Sequence, residues 1–310
     1  MCALTVLLRS DADFRAPDSP AFAPVSSIWM VSFLILKTST PTATTLFVNS
    51  TGDQTSPGKS NAKCKVVLDQ KSVPFYLTKT SQLILSQASE IFHAWAQLPV
   101  QRSIFTTQQA ALQAQYFPTT RPLPGVPLLL KQLRYSSVHL ALATSSHARN
   151  FKLKSTFNQG LFTAFPEKNR ILGDDPRIPP GCGKPAPDIY LIALETINKE
   201  LRGKGEREIL PSECLVFEDS VPGVEAGRRA GMRVVWCPHP MVLKEYRGRE
   251  REVLAGVAHG DGDDELDDVM DEVGAIRGGG KGGLGRLDDG WAVLVESLEA
   301  FDYGRYGIEV

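Results

Sequence analysis

Between Pro122 and His239, short apolar runs alternate with amphipathic stretches, and each apolar run breaks off into polar residues. Val138–Ala143 (VHLALA), Cys214–Phe217 (CLVF) and Val234–Cys237 (VVWC) have the length and composition of buried strands. Val126–Leu133, Pro187–Leu201 and Val221–Ala230 instead repeat their apolar residues at helical spacing. Short apolar strands separated by amphipathic helices predict an α/β domain with a doubly wound parallel sheet, because a parallel connection has to cross one face of the sheet. Ligands of such sheets gather at the carboxyl ends of the strands. The polar clusters of this chain fall at those ends.

Bulk properties bound the function. The chain has 310 residues, 42% apolar and 22% charged, which is ample material for a buried core. A formal net charge of -1, with no Lys/Arg run interleaved with aromatics, argues against nucleic-acid and anionic-membrane partners. Cys2, Cys64, Cys182, Cys214 and Cys237 are odd in number, widely spread and never spaced CxxC. That usage suits a reducing compartment and argues against both a disulfide framework and a zinc site. The longest apolar run, Ile28–Leu36, is far short of the roughly 20 residues a membrane span needs. It follows Asp11, Asp13 and Asp18 and not a basic segment, so it reads as a buried strand, and the expected compartment is the cytosol.

Composition divides the chain into four stretches. Residues 1–75 are rich in Ser, Thr and Pro and show no sustained periodicity, so an irregular segment is expected there. Residues 76–120 turn helical, with Ile84, Ala88, Ile91, Phe92 and Trp95 at three- and four-residue steps and a second helical run at Thr107–Tyr116. Residues 121–245 carry the alternating pattern. Residues 246–310 open with a charged helix and pass through an Asp- and Gly-rich stretch from Gly260 to Gly290. Trp291–Phe301 then reads as a short amphipathic helix. Gly278–Gly283 (GGGKGG) is a flexible tract and not a phosphate loop, since no strand precedes it and no Gly-Lys-Ser/Thr follows.

Three clusters carry chemistry. Ala141–Ser146 (ALATSS) brings a hydroxyl and successive backbone N–H groups to a strand end, which suits phosphoryl oxygens, although a Thr–Ser pair after a strand more often serves as a turn or cap. Gly183–Asp188 (GKPAPD) holds Lys184 between stiffening prolines, where its point charge can meet a phosphate or a carboxylate. Val216–Gly227 (VFEDSVPGVEAG) ends a strand in two adjacent acids, hard oxygen ligands of the kind that hold Mg²⁺ with several waters retained. For the Glu–Asp pair alone, a helix cap beside a surface acid is the competing explanation.

In this order, LATSS, GKPAPD and VFEDSVPGVEAGRRAGM resemble motifs two, three and four of the haloacid dehalogenase-like hydrolases, closest to the pseudouridine-5'-phosphatase-like branch with its fungal members. Ser89–Pro99 (SEIFHAWAQLP), ALQAQYFPT, PLPGV and LGDDPRIP are similar to that branch as well, so the likeness runs from about Ser89 to Tyr246. The resemblance implies a Rossmann-like core with a helical cap remnant around Ile91–Phe117. It implies Mg²⁺-dependent hydrolysis of a small phosphorylated metabolite, a sugar- or nucleoside-phosphate. Thr144 and the N–H of Ser145 would bind the phosphoryl group, Lys184 would neutralise it, and Glu218 and Asp219 would hold Mg²⁺. His147, Arg149 and Asn150 follow motif two without an assigned role.

The family's first motif, a strand followed by DxDGT/L whose first Asp attacks phosphorus and whose second serves as general acid and base, is not recognisable here. Leu4–Leu8 precedes Asp11 and Asp13, which have the spacing but no following glycine, and Arg9 and Ser10 intervene. Lys65–Leu68 leads into Asp69, but Lys71 stands where the second acid belongs. The catalytic nucleophile is therefore not identified. Either the start of the chain has been lost or replaced, or the protein is a non-catalytic descendant that binds phosphorylated ligands.

Overall fold

The strands present apolar side chains alternately to two faces that both need cover. In the strand His139–Ala143 (β4), Leu140 and Leu142 point into one buried cluster while Ala141 and Ala143 point into another. Cys214–Glu218 (β6) divides in the same way, Leu215 and Phe217 against Cys214 and Val216. Full burial of such a Leu or Phe contributes roughly 1.5–3 kcal/mol, so register is fixed from both sides. The computed structural model describes residues 4–7, 44–49, 63–68, 101–258 and 284–310. It divides into two units, residues 1–22, 122–151 and 158–310 in the first, and residues 23–121 and 152–157 in the second.

The first unit is a helix–sheet–helix sandwich. Its six-stranded sheet includes Leu4–Leu7 (β1), Arg170–Ile171 (β5), Arg233–Trp236 (β7) and Ala292–Leu294 (β8), in the order β5-β4-β1-β6-β7-β8. One face carries residues of Asp188–Gly203 (α5), Val221–Arg229 (α6) and Glu250–Ala255 (α8), with Tyr190, Ile197, Val224 and Val253 buried there. The other face carries Leu129, Leu130 and Leu133 of Val126–Tyr135 (α2), together with Leu298, Tyr306 and Ile308 near the chain end. Ala148–Ser155 (α3) and Gln159–Phe162 (α4) follow β4, and Pro240–Glu245 (α7) follows β7. Pro127 at the second position of α2 and Pro222 at the second position of α6 stand where a backbone N–H would have no acceptor within the helix.

Two findings depart from the sequence reading. The outer strands run parallel, but β1 is antiparallel to both neighbours, with Leu4 opposite Leu142 and Phe217 and Leu7 opposite His139 and Cys214. The chain therefore passes the middle of the sheet in the reverse sense. It leaves at the edge opposite the carboxyl ends of β4 and β6. The second departure is Trp291–Phe301, which forms β8 and extended chain and not a helix. Its apolar stretch Ala292–Leu294 pairs with Val234–Trp236 in parallel, so an open sheet edge outweighed helical spacing.

In the second unit, Thr44–Asn49 (β2) and Lys63–Leu68 (β3) form an antiparallel pair, and Arg102–Tyr116 (α1) extends the expected run at Thr107–Tyr116. A 3₁₀ turn at Phe117–Thr119 follows, and the Lys154 ammonium lies 4.7 Å from the Phe117 ring centroid. The readings at Ile28–Leu36, Ile84–Trp95 and most of Gly260–Gly290 lie outside the described residues. Among the described residues no helix is long and apolar enough to cross a membrane.

Candidate phosphate and metal site

At the carboxyl end of β4 the backbone stays in the sheet one residue longer, the Thr144 N–H donating to Ile171 O at 3.0 Å. Thr144 is fully buried, and its Oγ1 accepts from the Ser146 N–H at 3.1 Å, a turn that exposes Ser145. Gly173 closes the loop from behind. Its N–H donates to Ser146 O at 3.1 Å, and a β-carbon there would stand 2.3 Å from Ser145 O. Gly173 belongs to the LGDD string but gave no sign of this packing duty, which only the tertiary contact reveals. Past the turn, the Ala148 N–H donates to both carboxylate oxygens of Asp174 at 3.0 and 3.1 Å, and Arg149 bonds Asn150 Oδ1 at 3.3 Å.

Lys184 enters from the loop before α5 and is only 5% exposed. Its ammonium donates to Ala143 O at 3.2 Å, one residue from Thr144, and to Glu218 Oε1 at 2.6 Å. It also lies 4.7 Å from the ring centroid of Tyr190, whose hydroxyl donates to the same Glu218 Oε1 at 2.6 Å. Glu218 Oε2 accepts from the Asp219 N–H at 3.1 Å, the Ser220 N–H at 3.1 Å and the Ser220 hydroxyl at 2.9 Å. Ser220 also caps α6, its Oγ accepting from the Gly223 N–H at 3.2 Å. Tyr190 was not singled out by the sequence reading. Its position two residues into the helix after GKPAPD was the available signal.

The two neighbouring acids are shifted in opposite directions. Burial alone would raise the Glu218 carboxyl, but the Lys184 ammonium and the Tyr190 hydroxyl hold it below the ordinary range. Asp219 moves the other way, to about 6, because partial burial strips it of water and it stands beside the Glu218 charge. Burial and the same Asp219 charge push the Cys237 thiol up to about 12, which leaves it a neutral packing residue and no nucleophile.

Thr144 and Ser145 follow the carboxyl end of β4, and Glu218 and Asp219 stand at that of β6, on either side of β1, and the Lys184 ammonium, from the loop before α5, joins the two ends. A family model of the haloacid dehalogenase-like hydrolases matches residues 48–231, more than half of the chain. The chain belongs to that family. An uncharacterised Schizosaccharomyces pombe protein is 37% identical over 169 residues, which is 54% of this chain and 68% of its own. A Saccharomyces cerevisiae protein named probable pseudouridine-5'-phosphatase is 40% identical over 46% of this chain and 58% of its own length. An Arabidopsis thaliana (DL)-glycerol-3-phosphatase is 33% identical over 49% of this chain and 48% of its own. This chain therefore spans less than two thirds of the two relatives whose names state a substrate.

Among the described residues, none of the candidate nucleophiles is found at this place. Asp11, Asp13 and Asp69 lie outside the described residues. β1, which precedes Asp11, leaves the sheet at the edge away from Thr144 and Asp219, and β3, which precedes Asp69, pairs with β2 and not with the six-stranded sheet. Among the described residues, no group of three or more His, Cys, Asp or Glu side chains assembles as a metal cluster.

Proposed function

We propose that this chain binds a small phosphomonoester, a sugar- or nucleoside-phosphate, together with Mg²⁺, and does not hydrolyse it. The observation that carries the reading is the bridging of the carboxyl ends of β4 and β6 by the Lys184 ammonium, which bonds Ala143 O beside Thr144 and Glu218 beside Asp219. In this reading the Thr144 hydroxyl and the Ser145 N–H donate to phosphoryl oxygens, and Lys184 neutralises their charge. Asp219 would offer a hard oxygen to Mg²⁺, a cation that does not need an all-protein cage. A bound Mg²⁺ would contribute charge neutralisation of the phosphoryl oxygens. The names of the relatives, a pseudouridine-5'-phosphatase and a glycerol-3-phosphatase, support a small phosphate ester as ligand. A reducing, cytosolic setting goes with the buried thiols Cys214 and Cys237.

Support for the lack of turnover comes from β1. In-line displacement at phosphorus needs an acid delivered beside the phosphate by the central strand, and here that strand runs away from the site. Calorimetry with a sugar phosphate in Mg²⁺ tests the binding half, and phosphate release from p-nitrophenyl phosphate tests the other. Binding without release is expected, with release appearing once residues 1–22 are replaced by a strand ending in DxDG. EDTA-sensitive release by the unaltered chain would overturn the inactive half, and absence of both Mg²⁺ and ester binding would overturn the whole.

A further inference from the structure

The pairing of β4 with β5 does not stop where the two strands end. Leu142 and Ala143 lie opposite Arg170 and Ile171, and three further ties hold the turn that follows β4. The Thr144 N–H donates to Ile171 O at 3.0 Å, the Gly173 N–H to Ser146 O at 3.1 Å, and the Ala148 N–H to the Asp174 carboxylate at 3.0 and 3.1 Å. Residues 144, 146 and 148 are thereby fastened, every second one, to the tail of β5. Ser145 stands between the first two ties, exposed, with its N–H committed to none of them. His147, the residue before α3, is not of a type that caps a helix well. The cap comes instead from Asp174, 26 residues beyond Ala148.

A second acid follows with a different task. Asp175 accepts from the Arg177 N–H at 3.0 Å and from its guanidinium at 2.9 and 2.7 Å, and the same guanidinium donates to Thr196 Oγ1 of α5 at 2.8 Å. The loop after β5 is thus braced on α5 through one acid and reaches the turn with the other. We infer that Asp174 is a positioning residue: from this braced loop it sets where α3 begins, and so the direction in which the Ser145 N–H points. The inference rests on the reading of Ser145 as a phosphoryl donor given above, and it adds a residue that itself touches no ligand. Charge alone argues the other way, since a carboxylate bound three residues from Ser145 repels a phosphate there. Position and charge therefore predict opposite effects of removing Asp174.

Inorganic phosphate is titrated into the isotope-labelled full chain, with calorimetry for affinity and the Ser145 amide resonance for the direction of its N–H. Asp174→Ala should weaken phosphate binding about fivefold, the effect of losing one helix cap, and should shrink the response of the Ser145 amide at saturation. Asp174→Asn keeps an acceptor and drops the charge, so its affinity should stay within about twofold of the wild type. Tighter binding in Asp174→Ala, the sign expected from charge, or an unchanged Ser145 response would overturn the positioning role. A loss in Asp174→Asn as large as that in Asp174→Ala would do the same. Should Asp174→Ala not fold, Asp174→Glu decides. It keeps the charge and shifts the oxygens by one methylene group, so weaker binding is expected and wild-type affinity would overturn the role. A wild-type chain whose Ser145 amide ignores phosphate would instead sink the underlying reading, a result distinct from any of these.

Discussion

A single hydrogen atom at residue 223 decides whether the Glu218 carboxylate has room. With a β-carbon 2.0 Å from Glu218 Cδ, the Gly223→Ala chain must either move α6 or expel the acid from its five donors. Overpacking of this kind costs about 3 kcal/mol or more, and the loss should appear as a lower urea midpoint together with weakened phosphate binding. Asp219 sets up a test of opposite sign. Its carboxyl is raised to about 6 in the folded chain from an ordinary value of 3.8, so ionisation there works against folding. The penalty is absent below the ordinary value, grows as pH rises towards 6 and is complete above it. Asp219→Asn should therefore stabilise the metal-free protein at pH 7.5, by on the order of 2 kcal/mol, with the gain fading below pH 4. Urea melts at the two pH values check this, and an equal gain at both would contradict it. Added Mg²⁺ should raise the wild-type midpoint and not that of the variant.

Strands and helices show how far an element can be read from its own residues. The boundaries expected from punctuation lie within about two residues of those observed for α2, α5, α6, β4, β6 and β7, because proline, glycine and polar breaks act locally. Direction is not local. Nothing in LTVL says which way β1 runs, and nothing in AVL says that its partner lies at Val234–Trp236, more than fifty residues back. The site divides along the same line. Thr144, Lys184 and Asp219 announce themselves as reactive groups at strand or loop ends, whereas Gly173, Gly223 and Tyr190 act only through what they touch. The role given to β1 can be probed by its backbone alone. Thr5 sits opposite both Ala141 and Val216, so Thr5→Pro removes a ladder donor from a central strand. A loss of about 3 kcal/mol in a denaturant melt is expected. A neutral result would mean that β4 and β6 do not depend on β1.

At the scale of the whole first unit, the chain end acts as a structural closure of the sheet. Beyond the pairing of β8 with β7, Phe301 stacks on Tyr306 at 5.2 Å and meets Phe217 edge-on at 5.1 Å, so residues near the end cover a strand that ends at the site. The return of the chain to the sheet is marked by a buried ion pair, Arg228 of α6 with Asp289 at 2.5 Å, whose side chains are 2% and 9% exposed. The other Asp289 oxygen accepts the Trp291 N–H at 3.0 Å and so turns the chain into β8. Two buried charges repay their lost hydration only while both are present. Asp289→Ala should therefore cost about 3–5 kcal/mol, far more than a surface pair is worth, because it leaves the Arg228 charge buried. The double variant Arg228→Met, Asp289→Leu removes both charges at similar volume and should recover most of that loss. Thermal melts of Arg228→Met, Asp289→Leu, the double variant and the wild type form a complete cycle. If Asp289→Ala melts like the wild type, the C-terminal segment is not held by this pair, and the aromatic contacts with Phe217 must anchor it.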